Sequence, residues 1–262
     1  MKLEDRSAIV TGGSSGIGRG IALELARAGA DVAVGDLTET PSDLGASATT
    51  TERIRDLGRD ALFRETDVTE PGDVAALVEA AVDAFGGLDV LVNNAGIARG
   101  GTVEAVSEDD WSDVLDVNLS GVYRCTKTAM EHLLESDHGR VINVASQLAF
   151  VGYEESPAYC ASKGGVANLT RQLAVDYSGD GVTVNAICPG PVKTSMTRSK
   201  DDDELESWDD DEERAAFYRD RVLTDFVGEP EDVGRAAVFI ASDDARFMTG
   251  HNLVIDGGYL AR

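Results

Sequence analysis

Residues 7–36 hold a strand, a glycine turn, a helix and a second strand within thirty positions, and this unit constrains the fold more than any other part of the chain. Ser7-Ala-Ile-Val-Thr11 is a short apolar run that gives way to Gly12-Gly-Ser-Ser-Gly16-Ile-Gly18. A helix continues through Ile21-Ala-Leu-Glu-Leu-Ala and stops at Gly29, and a second apolar run, Val32-Ala-Val-Gly, ends at Asp36. Two strands joined by a helix imply a right-handed crossover and a parallel sheet. Glycines at such a turn let the backbone approach a pyrophosphate, and free N–H groups at the helix start attract it. Asp36, eighteen residues past Gly18, fits an acidic residue that accepts hydrogen bonds from an adenosine ribose.

The same alternation runs through the rest of the chain without a linker. Ala61-Leu-Phe-Arg-Glu-Thr reads as a third strand ending at Asp67-Val68. A helix over Pro71–Phe85 carries Val74, Leu77, Val78, Ala81 and Val82 at core-facing spacing. Leu88–Val92 is a fourth strand opening into Asn93-Asn94, and Ser107 to Asp110 resembles a capping box for one long helix containing Trp111, Leu115, Asn118 and Tyr123. Val141–Ala145, Val182–Ile187 and Leu253–Ile255 are expected as strands five, six and seven. The expectation is a single α/β domain over residues 1–262, without a separate second domain.

Chemistry is concentrated at Tyr159-Cys-Ala-Ser-Lys163, with Ser146 thirteen residues upstream. A spacing of four places Tyr159 and Lys163 on one helix face. An ammonium beside a phenol favours the phenolate, which would let Tyr159 exchange protons as a general acid or base. Ser146 ends the apolar run Val-Ile-Asn-Val-Ala, and in open parallel sheets sites form at the carboxyl ends of strands.

Taken together these motifs identify a family. Thr11-Gly-Gly-Ser-Ser-Gly-Ile-Gly18 resembles the TGxxxGxG signature of short-chain dehydrogenases/reductases, and Tyr159-x-x-x-Lys163 resembles their catalytic pair. Asn93-Asn-Ala-Gly96, Asn118, Ser146, Pro189-Gly190 with Thr194, and Ile255-Asp-Gly-Gly258 follow in the family's order. The resemblance covers residues 5 to 260 and implies a Rossmann-type doubly wound sheet of about seven strands in the order 3-2-1-4-5-6-7. It implies that Tyr159 is the acid/base, that Ser146 orients the substrate oxygen, and that Lys163 holds the nicotinamide ribose and lowers the pKa of Tyr159. Asn118 would hold a water linking Lys163 to solvent; a kink-forming asparagine with only structural work is the alternative. The nucleotide would lie on Gly12, Ser14, Ser15, Gly16, Ile17 and Gly18. Asp36 and Leu37 would meet its ribose, and Asp67 and Val68 would flank the adenine. Asn94, Ala95 and Gly96 would line the dinucleotide, with Pro189, Gly190, Val192 and Thr194 beyond strand six.

Cofactor choice can be argued from charge. NADP-using relatives often carry Arg or Lys just before the motif's second glycine or just after strand two; here those positions are Ser15 and Leu37. Asp36 would repel a 2′-phosphate, so NAD is expected over NADP. Arg19 is a basic residue close by, read as structural from its position on the helix. The expected substrate is a secondary alcohol or ketone in a sugar, sugar acid or polyol. The alternative is reduction of a 3-oxoacyl thioester on acyl carrier protein. Relatives of that kind dock the carrier through basic residues on two helices, where this chain has Glu131 and Val175. Gln147, Tyr153, Arg99, Lys193 and Trp208 are candidates to meet a polar substrate, and Arg99 or Lys193 would pair a carboxylate. No metal is expected. Many relatives are homotetramers built on the helices carrying Asn118 and Tyr159.

Composition restricts the partners. Forty-eight acidic residues against 23 basic give a net charge of −25, and only five residues are lysine. Such a surface argues against nucleic acid and anionic membranes, and no run of 18 apolar residues suggests a membrane span. Cys125, Cys160 and Cys188 show no CxxC or zinc spacing, which suits a reducing cytoplasm. Acid excess with scarce lysine resembles proteins of salt-accumulating halophiles. Two segments break the rhythm. Residues 38–50 lengthen the connection after strand two, either covering the adenine side of the nucleotide or forming a flexible surface insertion. Residues 190–226, expected as a substrate lid by resemblance, contain a run from Asp201 to Glu213 in which ten of thirteen residues are acidic. A charge run of this kind reads most simply as a solvated face.

Overall fold

A computed structural model describes residues 1–43, 45–197 and 212–261. Its strands are β1 (Ser7–Thr11), β2 (Asp31–Asp36), β3 (Ala61–Glu65), β4 (Val90–Asn93), β5 (Arg140–Val144), β6 (Thr183–Pro189) and β7 (Asn252–Ile255). They form one parallel sheet in the order β3-β2-β1-β4-β5-β6-β7, as the sequence predicts. The chain runs outward from β1 to β3, then returns to lay β4 on the other side of β1. That reversal opens a crevice between the carboxyl ends of β1 and β4, where α/β sheets bind ligands.

Period-two alternation divides the core into two layers. Val10, Val34, Ile142 and Ile187 face one side of the sheet with Ile21, Leu25 and Ile240. Ile9, Ala33, Leu91 and Val141 face the other, with Leu77 and Leu133. Neighbouring strand residues point to opposite faces, so both sides must be covered by helices. Helices α1 (Gly16–Arg27), α2 (Thr50–Asp56), α3 (Pro71–Phe85), α5 (Gly121–Glu135), α6 (Pro157–Tyr177) and α8 (Pro230–Ala241) provide that cover, while α4 (Glu108–Leu115) packs on α6 and α7 (Glu212–Arg219) follows β6. α1 and α8 meet closely because both carry glycine at the crossing. A Cβ on Gly20 would lie 2.6 Å from Pro230 backbone, and one on Gly234 would lie 2.6 Å from the Gly20 carbonyl.

The long helix expected after Ser107 is interrupted. Between α4 and α5 lies a π turn, Asp116–Ser120, centred on fully buried Asn118. The capping box is one-sided: Asp110 N–H donates to Ser107 Oγ, but Ser107 Oγ itself donates to the Asp110 carboxylate. Aspartate is one methylene shorter than the glutamate of the motif and is engaged by the hydroxyl instead of the N-cap amide. A reciprocal box occurs at Thr49 and Glu52, opening α2. No helix among the described residues is long and apolar enough to cross a membrane.

Candidate active site

A cleft of about 610 Å³ lies along the carboxyl ends of β1, β4, β5 and β6. Its first wall is the turn between β1 and α1. Gly12 has φ +63, and a Cβ on Gly18 would fall 2.0 Å from the Gly12 carbonyl, so glycine alone lets the helix start this close to the strand. Asn94 Nδ2 donates to the carbonyls of Thr11 (2.9 Å) and Gly12 (3.0 Å), fixing the turn to the end of β4. Ser15 stands at the α1 N-cap without a side-chain capping bond. Ser14 Oγ is buried with no hydrogen-bond partner among the described residues. A helix start that its own N-cap side chain leaves open, beside an orphaned hydroxyl, suits a dinucleotide phosphate and its ribose, although the Gly16 N–H is held here by Asp43.

Asp36 ends β2 at this wall, its Oδ2 accepting the Ser14 N–H at 3.0 Å. Leu37 beside it is exposed. The end of the cleft beside β3 is formed by Asp67 and Val68, joined by Thr66, Thr69, Asp113 and Val117. These last four escaped sequence analysis. Asp113 lies on α4 and Val117 in the π turn that follows it, and nothing local in the sequence announces that turn. Ala95, Gly96, Pro189, Gly190, Val192 and Thr194 also line the cleft.

The chemical end is built around the end of β5. Ser146 has extended backbone and opens a short 3₁₀ turn, accepting from Leu148 N–H (3.1 Å) and donating to Gln147 Oε1 (3.0 Å). Tyr159 and Lys163 lie one turn apart on α6, which begins at Pro157. Lys163 is 5% exposed; its Nζ donates to the Val144 carbonyl at 2.8 Å and lies 5.7 Å from the Tyr159 ring centroid. Asn118 joins the two walls: its Oδ1 accepts Ile97 N–H (2.8 Å), and its Nδ2 donates to the Ile97 carbonyl (2.9 Å) and Ser162 Oγ (3.1 Å). Ser162 Oγ in turn donates to the Tyr159 carbonyl at 2.8 Å. The Asn118 side chain thus registers the β4 loop against α6 instead of facing the cleft.

The electrostatics differ from the simple spacing argument. Burial pushes the Tyr159 phenol up to about 12, opposed by a hydrogen bond with Ser146. Burial pushes Lys163 down to about 8. The ammonium is committed to the Val144 carbonyl and does not offset the cost of a phenolate in so apolar a setting. Without nucleotide, Tyr159 is a neutral phenol at pH 7. Ser146 and Tyr159 nevertheless face the same end of the cleft, so a substrate oxygen there meets one hydroxyl donor and one proton-transfer group.

The remaining candidates scatter. Arg99 is half-exposed, with its Nε 3.5 Å from Asp110. Lys193 Nζ lies 2.9 Å from Glu229. Tyr153 is exposed. None of the three lines the cleft. Gln147 is buried behind Ser146, and Trp208 lies outside the described residues. Arg19 is structural as expected, donating to the Ala48 carbonyl and Thr50 Oγ1.

Comparison with known proteins gives a consistent picture. A family model described as enoyl-(acyl carrier protein) reductase matches residues 12–260. The chain is 37% identical to 2-dehydro-3-deoxy-D-gluconate 5-dehydrogenase of Escherichia coli K12, covering 99% of this chain and 97% of that one. It is 36% identical to the 3-oxoacyl-[acyl-carrier-protein] reductase of Vibrio cholerae, covering 98% of each. The structure superposes on a short-chain type dehydrogenase/reductase from Mycobacterium marinum with a TM-score of 0.87 at 28% identity, over 100% of this chain and 98% of that one. A near-complete match in sequence and fold, around a cleft that gathers Ser146, Tyr159 and Lys163, places the chain in the short-chain dehydrogenase/reductase family of nicotinamide-dependent oxidoreductases.

Proposed function

We propose that the protein is an NAD-dependent dehydrogenase of a secondary alcohol in a sugar acid, sugar or polyol. The observation that carries the cofactor choice is the Asp36 carboxylate on the Ser14 amide, at the point where a 2′-phosphate would bring two further negative charges. The sugar-acid dehydrogenase of Escherichia coli supports the substrate class. The thioester relative supports the alternative, reduction of a 3-oxoacyl group on acyl carrier protein. Glu131 and Val175 weigh against that alternative, since both are about 80% exposed where a carrier's acidic surface would need basic partners. The discriminating experiment is turnover of a hydroxy sugar acid with NAD beside turnover of a 3-oxoacyl thioester with NADPH; the first alone is expected.

When bound, the nicotinamide supplies the hydride acceptor and, in its oxidised form, a positive charge over the site. Lys163 would hold its ribose, and Gly12, Gly16, Ile17 and Thr194 its phosphates. Ser146 Oγ donates to the substrate oxygen and fixes its direction. Tyr159 Oη, as phenolate, takes the hydroxyl proton. The hydrogen bond with Ser146 and the positive charge of the oxidised nicotinamide would favour that phenolate, and Asn118 keeps the β4 loop and α6 in register.

Charge suggests the setting. We take the protein to act in a salt-rich cytoplasm, because a net charge of −25 repels itself in dilute buffer, and the resemblance to its family supports a homotetramer. At molar salt the screening length falls to about 3 Å, which removes most of that repulsion. Thermal unfolding and sedimentation from about 0.1 M to about 3 M potassium chloride should show rising Tm and retained tetramer at high salt. Equal stability across the series, or monomer throughout, would contradict this.

A further inference from the structure

The segment between β2 and α2 does more than lengthen a connection. Ser42 N–H donates to Ser15 Oγ at 2.7 Å, and Ser42 Oγ lies 3.1 Å from Ser195 Oγ, so the segment crosses the outer edge of the cleft. Asp43 follows, its Oδ1 accepting the Gly16 N–H at 2.8 Å. Asp36 already occupies the Ser14 N–H. Ser15, where an NADP-binding relative would carry a phosphate-reading cation, therefore has its hydroxyl engaged by the segment and a carboxylate on each side.

We propose that Asp43 is a second specificity-determining residue for the nucleotide, acting with Asp36 to exclude a 2′-phosphorylated dinucleotide. The inference rests on the reading of Asp36 as selecting NAD. Its direction follows from charge. Ser14 and Gly16 are two residues apart, so their amides lie within about 7 Å. A phosphate next to Ser14 would thus feel the Asp43 carboxylate at about that distance, which at the dielectric of water is worth about fivefold in affinity for a group of nearly two charges. Arg19 Nε lies 3.9 Å from Asp43 Oδ2. Removing the carboxylate also releases that guanidinium's field toward the turn. The pyrophosphate is common to both nucleotides, so its share of any change cancels in their ratio.

Calorimetric titration of oxidised NAD and NADP into wild type, Asp36→Ala, Asp43→Asn and Asp43→Ala separates the possibilities. Wild type should bind NAD more tightly, and Asp36→Ala should lose that preference. Asp43→Asn and Asp43→Ala should each move the ratio of the two Kd values about fivefold toward NADP. Only asparagine keeps a partner for the Gly16 amide, so equal shifts identify charge as the cause. An unchanged ratio in both variants, or a shift in the alanine variant alone, overturns the role of Asp43 and leaves that of Asp36 standing. Wild type binding NADP at least as tightly as NAD would remove the reading of Asp36 and this inference with it.

Discussion

Tyr159→Phe is expected to lower kcat on the order of 10³-fold while leaving the Kd for NAD within about twofold, since a positioned acid or base contributes 10²–10⁴-fold. The ring fills the same volume, so the helix and the cleft wall are undisturbed; only the proton-accepting oxygen is lost. The pH dependence carries its own sign. Burial pushes the Tyr159 phenol up to about 12 in the protein without nucleotide. The phenolate is the active form for oxidation, so the wild-type rate should climb with pH through the neutral and alkaline range, displaced downward from 12 by the bound positive charge. The variant should show no such limb. Steady-state oxidation rates from pH 6 to 10, with a separate binding titration, test both statements. Turnover surviving in the variant would move the proton transfer to another group.

Lys163→Met is expected to abolish turnover and to stabilise the fold. Holding an ammonium where burial pushes its pKa down to about 8 costs on the order of 3 kcal/mol at neutral pH. Methionine fills a similar volume without that cost, but leaves the Val144 carbonyl without its donor, a penalty of about 1–2 kcal/mol. The net gain of about 1–2 kcal/mol corresponds to roughly 3–6 °C in Tm for a chain of this size. The sign reverses with pH in a defined window. Between about 8 and the unfolded value of 10.5 the unfolded chain keeps the lysine proton that the folded protein has released. Wild-type stability therefore rises with pH in that range. The Tm advantage of the variant should narrow as pH climbs from about 8 and be present in full below it. A variant less stable than wild type at pH 7 would show that Lys163 supports the fold instead of taxing it.

Where the sequence was legible, the determinants were local. The limits of α3 follow from Pro71 at its start and from Gly86 at its end, with φ +81 at the C-cap. A parallel sheet followed from the alternation of strands and helices, whereas its order and the roles of the site residues followed from the resemblance that the glycine turn and the Tyr159–Lys163 pair carry. What stayed hidden depends on distant partners. The π turn at Asn118 coincides with side-chain bonds to Ile97 and Ser162, 21 and 44 residues away. Arg99 and Lys193 looked available for a substrate carboxylate, yet with acids outnumbering bases 48 to 23 carboxylates of the chain itself are close at hand. Here the partners are Asp110 and Glu229. Apart from the Thr49 cap of α2, residues 38–50 carry no motif, and their placement across the glycine turn rests on bonds made by Ser42, Asp43 and Arg19.

The measurement closest to the central claim is absorbance at the reduced-nicotinamide band, recorded in high potassium chloride with both nucleotides. Its panel would hold hydroxy sugar acids, sugars, polyols and 3-oxoacyl thioesters. The account predicts NAD reduction with one sugar acid, sugar or polyol, and none of that signal in Tyr159→Phe. Oxidation of NADPH by the thioester alone would contradict it, and would mean that neither Asp36 nor the acidic surface directs the choice of partner.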